Sequence, residues 1–213
     1  MNKFVLLFLF ILFFNISKAQ IKALTDNGRQ VVLYDNGTWK YEDNSVTKKS
    51  SDSIKLNPIK FSKSPGATFL VKSTIVNIGI YIDPNKWTFA GHHDNETNPE
   101  YRFNLKSENG MALLETEKTQ IGIEYMPEIA LVNARKAALD ARITTKEYRI
   151  VNNKKILFLE MAGTIKGIKF KYMGYYFSNE KGTVQLLCYT TESMYNAAYK
   201  DLEIFLNGFL VME

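Results

Sequence analysis

Three stretches in the C-terminal half of this chain are apolar on both sides of a two-residue alternation, and this restricts the fold more than any other feature. In Lys155 to Met161, Ile156 and Phe158 fall on one side, with Leu157, Leu159 and Met161 on the other. Ile168 to Phe177 sets Phe170, Tyr172 and Tyr176 against Met173, Tyr175 and Phe177. Val184 to Thr190 sets Val184, Leu186 and Cys188 against Leu187 and Tyr189. A strand with two apolar faces belongs to a sheet covered on both sides. The breaks between these strands are short, at Asn152 and Asn153, Gly163 to Gly167, and Asn179 to Gly182, so the strands run antiparallel.

Two helices are available as cover. Pro127 and Glu128 suit a first helical turn, and Ala130, Ala134, Ala137, Ala138 and Ala141 form a stripe of small residues that lets a helix lie close to a sheet. After Ser193 as a cap, Tyr195, Ala198, Tyr199, Leu202, Phe205, Leu206 and Phe209 recur at helical spacing to the end of the chain. Earlier strands are expected at Ile75 to Ile82, Tyr101 to Leu105 and Met111 to Thr116, while residues 117–126 carry no assignable pattern. The resulting class is α+β, an antiparallel sheet with helices on both faces.

Ahead of this domain the chain divides into three parts. Residues 1–19 read as a secretion signal: Lys3 gives a positive start, Phe4 to Phe14 is an unbroken apolar run, and Ser17 and Ala19 are the small residues a signal peptidase needs. That run would rise only about 16 Å as a helix, against a hydrocarbon core of about 30 Å, so no stable membrane anchor is expected. No cysteine follows the cleavage point to carry a lipid, and Gln20 would lead the mature chain.

Residues 20–42 carry a repeat, Leu24-Thr-Asp-Asn-Gly28 echoed by Leu33-Tyr-Asp-Asn-Gly37. Each Asn-Gly suits a two-residue hairpin turn, which predicts a meander of strands Ile21 to Leu24, Arg29 to Tyr34 and Thr38 to Glu42. Val31, Leu33, Trp39 and Tyr41 would share one face. Residues 43–68 are rich in Ser, Lys, Asn and Pro and read as a flexible linker in which Ile59 to Phe61 can add an edge strand. The folded domain is then 69–213.

Two resemblances add to this reading. Asp35, Asn36, Gly37, Thr38, Trp39 and Tyr41 resemble a short Asp-x-Gly-Thr-Trp β element found near the N-terminus of exported bacterial proteins, which supports export and carries no chemistry. Over residues 70–211, the element order and the corner Asp83-Pro-Asn-Lys-Trp87 resemble the PsbP and Mog1-like domain, an α/β/α sandwich. That resemblance implies a non-enzymatic accessory, chaperone or binding protein, and no catalytic residues come with it.

Composition bounds the chemistry. One cysteine in 213 residues leaves no disulfide scaffold and no multi-cysteine zinc site. Removing Lys3 and Lys18 with residues 1–19 takes the formal net charge from +5 to +3, and the lysines are scattered, so no nucleic-acid partner is expected. His92, His93, Asp94, Glu96 and Glu100 are the only concentration of metal-type ligands, but their spacing matches neither a zinc site nor an EF-hand, and a plain polar loop is expected. Cys188 sits in an apolar stretch far from both histidines and reads as a core thiol. Hydrolase elbows, phosphate-cradling glycine loops and zinc-protease helices are absent.

No catalytic residue and no cofactor is therefore expected. Trp39, Tyr41 and Trp87 are the candidates for binding a protein partner of the cell envelope. The alternative is a small-molecule or lipid carrier with an apolar cavity between sheet and helix, which Trp87, Tyr101 and the Tyr172 to Phe177 cluster could line.

Overall fold

The structure is a computed structural model that describes residues 21–24, 30–34, 37–41, 54–91, 99–107 and 110–212. The signal reading of residues 1–19 lies outside the described residues. So do the turn at Asn27–Gly28, residues 42–53, and the loop residues His92, His93, Asp94 and Glu96.

The N-terminal ribbon forms as the repeat predicts, with β1 (Ile21–Leu24), β2 (Gln30–Leu33) and β3 (Trp39–Tyr41) in the order β1-β2-β3. Its second turn differs from expectation. Tyr34 N–H donates to Thr38 O at 2.9 Å and Gly37 N–H to Tyr34 O at 3.0 Å, so the loop has three residues, 35–37. Gly37, at φ 77°, supplies a left-handed position of the kind such a loop closes on.

The main domain is built on eight strands. In chain order they are β4 (Leu56–Phe61), β7 (Trp87–Gly91), β8 (Tyr101–Leu105), β9 (Met111–Glu117), β10 (Arg142–Val151), β11 (Lys154–Ile165), β12 (Ile168–Asn179) and β13 (Gly182–Thr191). Across the sheet the order is β4-β10-β11-β12-β13-β9-β8-β7. The three apolar stretches are its centre, β11 to β13. Asn152 and Asn153 at φ 46° and 67°, and Lys166 and Gly167 at φ 49° and 83°, make two-residue turns with both positions left-handed, which matches the twist of the paired strands.

A second, three-stranded sheet, β14-β6-β5, joins β5 (Phe69–Lys72) and β6 (Ile78–Ile82) to a final strand β14 (Phe209–Val211). The helices are α1 (Met126–Ala137) and α2 (Tyr195–Leu206). The protein is α+β and dominated by sheet.

Alternation divides the core as the sequence predicts. Ile156, Phe158, Met173, Tyr175, Val184, Leu186 and Cys188 form one cluster with Ala198, Leu202, Phe205 and Leu206 of α2 and with Ile78, Ile80 and Ile82 of β6. Leu157, Leu159, Met161 and Tyr176 form the other, with Met126 and Ala130 of α1.

Several boundaries differ from expectation, each for a visible reason. The sheet is mixed rather than antiparallel, because β4 runs parallel to β10 along its edge. The edge strand expected at Ile59 to Phe61 is present and starts earlier, at Leu56, so residues read as plain linker belong to the sheet: Tyr148 N–H donates to Lys55 O at 2.8 Å and Asn152 N–H to Phe61 O at 3.0 Å. Helix α1 ends at Ala137, which is exposed, and Ala138 turns extended. Past the helix, Ala138 and Ala141 bury against Gly163, where any Cβ would stand 2.9 Å from that of Ala138.

Ser193 does not cap α2. The N-cap is Met194 without a side-chain bond, and Ser193 Oγ lies 3.1 Å from Thr191 Oγ1. Nor does α2 run to the end of the chain. At Gly208 the backbone passes so close to β6 that a Cβ would lie 2.0 Å from Tyr81 O, and Phe209 then enters β14 opposite Ile80. Only glycine permits that approach.

Candidate functional site

Of the three partner-binding candidates, the structure brings two together. Val31 pairs with Tyr41 and Leu33 with Trp39, so Leu33, Trp39 and Tyr41 stand on one face of the ribbon. The Trp39 and Tyr41 rings meet edge to face with centroids 5.2 Å apart. Trp39 is 53% exposed, while Val31 and Val32 on the central strand are buried.

Trp87 is a different case. It is buried, with its ring centroid 4.3 Å from that of Phe205 on α2. The turn before it explains the placement: Asp83 O accepts from both Lys86 N–H and Trp87 N–H, which rotates the indole into the core. Trp87 is thus a core residue and not a contact for a partner.

Glu100, counted with the metal-type ligands, is pinned elsewhere. It is 6% exposed and accepts from Ser73 Oγ at 2.8 Å, Thr74 N–H at 2.5 Å, Thr74 Oγ1 at 3.0 Å and Thr116 Oγ1 at 2.7 Å. Those bonds fasten the bend between β5 and β6 onto β9. No three metal-ligating side chains converge among the described residues.

Cys188 is fully buried against α2, and burial pushes its thiol well above the usual cysteine range. Tyr175 and Tyr176, in the aromatic cluster, are core as well. The space between α2 and the sheet is filled by Trp87, Phe103, Leu202 and Phe205.

The sequence reading missed a charged network where α2 meets the outer strands. Arg149 on β10 is only 5% exposed, with its guanidinium carbon 3.5 Å from the ring centroid of Phe158 and 4.5 Å from that of Phe61. Its Nε donates to Glu147 Oε1 at 2.6 Å and its Nη1 to Glu203 Oε1 on α2 at 3.3 Å. Burial opposes its charge, but Tyr175 and Glu147 more than offset this and hold the pKa above the ordinary value.

Around Arg149, Asn57 on β4 donates to Glu147 at 3.0 and 3.1 Å. Glu160 accepts from Thr145 Oγ1 at 2.5 Å and from the Tyr195 hydroxyl, whose pKa is raised by burial and by that carboxylate. These groups are committed to one another, so the network ties α2, β10 and β4 together. Alternation held the signal, since Glu147 and Arg149 two residues apart on a strand share a face.

Among the described residues, one part of the main sheet has no helix over it, although Leu187 at its border packs in the cluster with Met126, Leu157 and Tyr176. Helix α1 packs on β10 and β11. On the same side of the sheet, further across, lie Leu187 and Tyr189 of β13, Met111, Leu113 and Glu115 of β9, and Arg102 of β8. Their pairings put Leu187 opposite Leu113, Tyr189 opposite Met111 and Leu113 opposite Arg102. Leu113, Leu187 and Tyr189 are half-buried, Met111 is 43% exposed, and no described helix lies over them. An open depression of about 370 Å³ borders them, lined in part by Met111, Phe170 and Tyr189.

With this arrangement established, the chain can be set beside solved structures. The solution structure of cyanobacterial PsbP (CyanoP) from Synechocystis sp. PCC 6803 aligns at TM-score 0.51 and 11% identity over 70% of this chain and 94% of that one. The fold is PsbP-like. Weaker likenesses are LpqN of Mycobacterium tuberculosis, described as involved in cell envelope biogenesis (TM-score 0.46, 9% identity, 68% of this chain and 90% of that one), and PA94 of Pseudomonas aeruginosa, of unknown function (0.38, 9%, 62% and 89%). Neither is close enough to carry a conclusion. No protein-family profile and no curated protein matches the chain. The PsbP fold expected from the Asp83–Trp87 corner and the element order is thus present. Among the described residues no helix is long and apolar enough to cross a membrane.

Proposed function

We propose that this chain is an exported, non-enzymatic accessory protein of the cell envelope that acts by binding another protein. The observation that carries the reading is the Leu33, Trp39 and Tyr41 face, 38%, 53% and 38% exposed on a ribbon separate from the main sheets. Exposed contiguous apolar surface marks interaction sites, and Trp and Tyr are the side chains that dominate them. Support for export comes from the apolar run at Phe4 to Phe14 with Ser17 and Ala19 behind it. The main domain is read as an incomplete α/β/α sandwich whose role is to present the ribbon.

The test is crosslinking in the native envelope followed by recovery of the tagged chain. One defined envelope protein should be recovered with the wild-type chain and lost with Trp39→Ala and with Tyr41→Ala, each folded as judged by circular dichroism. Recovery unchanged in both variants would reject the ribbon as the contact. Recovery of the unprocessed chain, with residues 1–19 attached, from the membrane would reject export in soluble form.

A further inference from the structure

Where the end of β4 faces the second sheet there is an open cleft of about 440 Å³, inside the range of about 300–1,000 Å³ that small-molecule sites occupy. We propose that this cleft binds a small organic anion, an apolar body carrying one carboxylate, with Lys63 as the partner of that carboxylate. The proposal goes beyond the reading of the ribbon as a contact surface and does not rest on it.

The cleft is built from chain that crosses between the sheets. Strand β4 ends at Phe61, residues 62–68 lead on to β5, and the 152–153 turn of the main sheet stands on one side with β6 and β14 on the other. Asn152 fixes these walls. Its backbone is left-handed, at φ 46°, which asparagine tolerates better than most residues. Its side chain joins three segments: Oδ1 accepts from Lys63 N–H at 3.0 Å, and Nδ2 donates to Asn207 O at 2.9 Å and to Phe209 O at 2.7 Å. The crossing segment and the start of β14 are thus tied to the main sheet by one residue. Such a cleft is formed in advance, and binding costs little ordering of its walls.

The chemistry of the walls selects the occupant. Phe61, Tyr81, Ile150 and Leu210, all half-buried, give it an apolar lining. Among the residues that line it there are two lysines, Lys60 and Lys63, and no aspartate or glutamate. Lys63 is held in place, with Nζ 4.7 Å from the centroid of the Tyr81 ring and 3.4 Å from Ala67 O. An ammonium has three donors, and among the described residues Ala67 O is the one acceptor that this ammonium meets.

One positioned ammonium suits a single carboxylate, whereas a phosphate is best held by a guanidinium fork. The guanidinium that approaches this region, that of Arg149 over the Phe61 ring, is already engaged by Glu147 and Glu203. The apolar lining argues equally against a bare ion, because only a hydrocarbon body gains from contact with it.

The probe is decanoate, with decanol and inorganic phosphate as controls, titrated into the isotope-labelled full chain and followed by amide resonances. Decanoate should bind one to one and shift Ser62, Ile150 and Leu210, decanol should bind at the same place about two- to five-fold more weakly, and phosphate should not bind. Lys63→Gln should weaken decanoate by the same factor, the scale of one exposed ion pair, and Lys63→Glu by more, with decanol unchanged in both. The shifts on the wild-type chain need no variant to fold. Equal binding of decanoate and decanol overturns the proposal, as does decanoate binding that neither Lys63 variant alters. Phosphate binding as tight as decanoate overturns it in favour of a simple anion site. Shifts centred on Leu113 and Tyr189, or on Leu33 and Trp39, overturn it in favour of adsorption to exposed apolar surface. None of these readouts involves a protein partner, so their failure is distinct from failure of the crosslinking experiment.

Discussion

Replacing Trp87 with Ala tests the assignment of this residue to the core. The indole is 3% exposed, 4.3 Å from Phe205 by ring centroids, and Phe205 in turn stands 5.0 Å from Phe103, so one truncation opens the centre of an aromatic stack. Truncating a buried Trp or Phe costs about 3–5 kcal/mol, the larger values where the surroundings cannot collapse. Collapse is restricted here, because β7 is held to β8 and the 83–87 turn is fixed by its own hydrogen bonds. For a domain of this size each kcal/mol moves the melting midpoint by about 2–4 °C, so a fall of about 6–20 °C is expected. Trp39→Ala, at a side chain more than half exposed on a separate ribbon, should move the main transition by less than about 2 °C. The assay is thermal unfolding followed by circular dichroism on both variants and wild type. A Trp87→Ala protein melting within about 2 °C of wild type would refute the reasoning, since that side chain could not then be filling the core.

Three further outcomes are expected. Gly208→Ala should destabilise by about 1–3 kcal/mol or more, because its methyl would collide with Tyr81 O; a neutral effect in denaturant melts would show that the α2-to-β14 passage is looser than drawn. Cys188 should resist thiol reagents at pH 8 in the native state and react fully in denaturant. As its folded pKa lies above the unfolded one, the contribution of burying the neutral thiol is present below the unfolded pKa and lost as pH rises beyond it, which Cys188→Ser should remove from the alkaline limb of the stability profile. A chain beginning at Pro65 loses β4 and with it Asn57 and Phe61, leaving Glu147 and Arg149 short of partners, so it should unfold at lower denaturant than one beginning at Ile54; equal midpoints would make β4 dispensable.

What was legible in the sequence and what was not follow one physical distinction. The faces of β11 to β13 could be read because alternation is a property of neighbouring residues, and the Asn152–Asn153 turn because left-handed backbone selects its own residue types. The edges could not. Strand β14 is three residues long and exists because Phe209 meets Ile80, 129 positions earlier, which no local pattern encodes. Leu56–Phe61 contains Pro58 and exposes Leu56 and Ile59, so it resembles linker until β10 is placed beside it. The candidate site divides in the same way. Pairing of Trp39 and Tyr41 on one face followed from the two-residue period, whereas the burial of Trp87 depends on Phe205, and that of Arg149 on Phe61, Phe158 and Glu203. Helices over both faces, as expected, are seen only in part: α1 packs on β10 and β11 and α2 on β12 and β13, and among the described residues no helix lies over Tyr189 or Met111.

The parallel pairing of β4 with β10 has a consequence for how the chain is made. Within the main domain, synthesis delivers β4, β5 and β6 first, yet β4 has no partner until residues 142–151 exist, and the free edge of β6 waits for residues 209–211. Short connections close β5–β6, β8–β9 and β10 through β13, whereas β4–β10 and β6–β14 join distant parts of the chain. A growing chain therefore carries β4 and one edge of β6 unpaired until residues 142–151 and 209–211 have been added, which delays completion of both sheets.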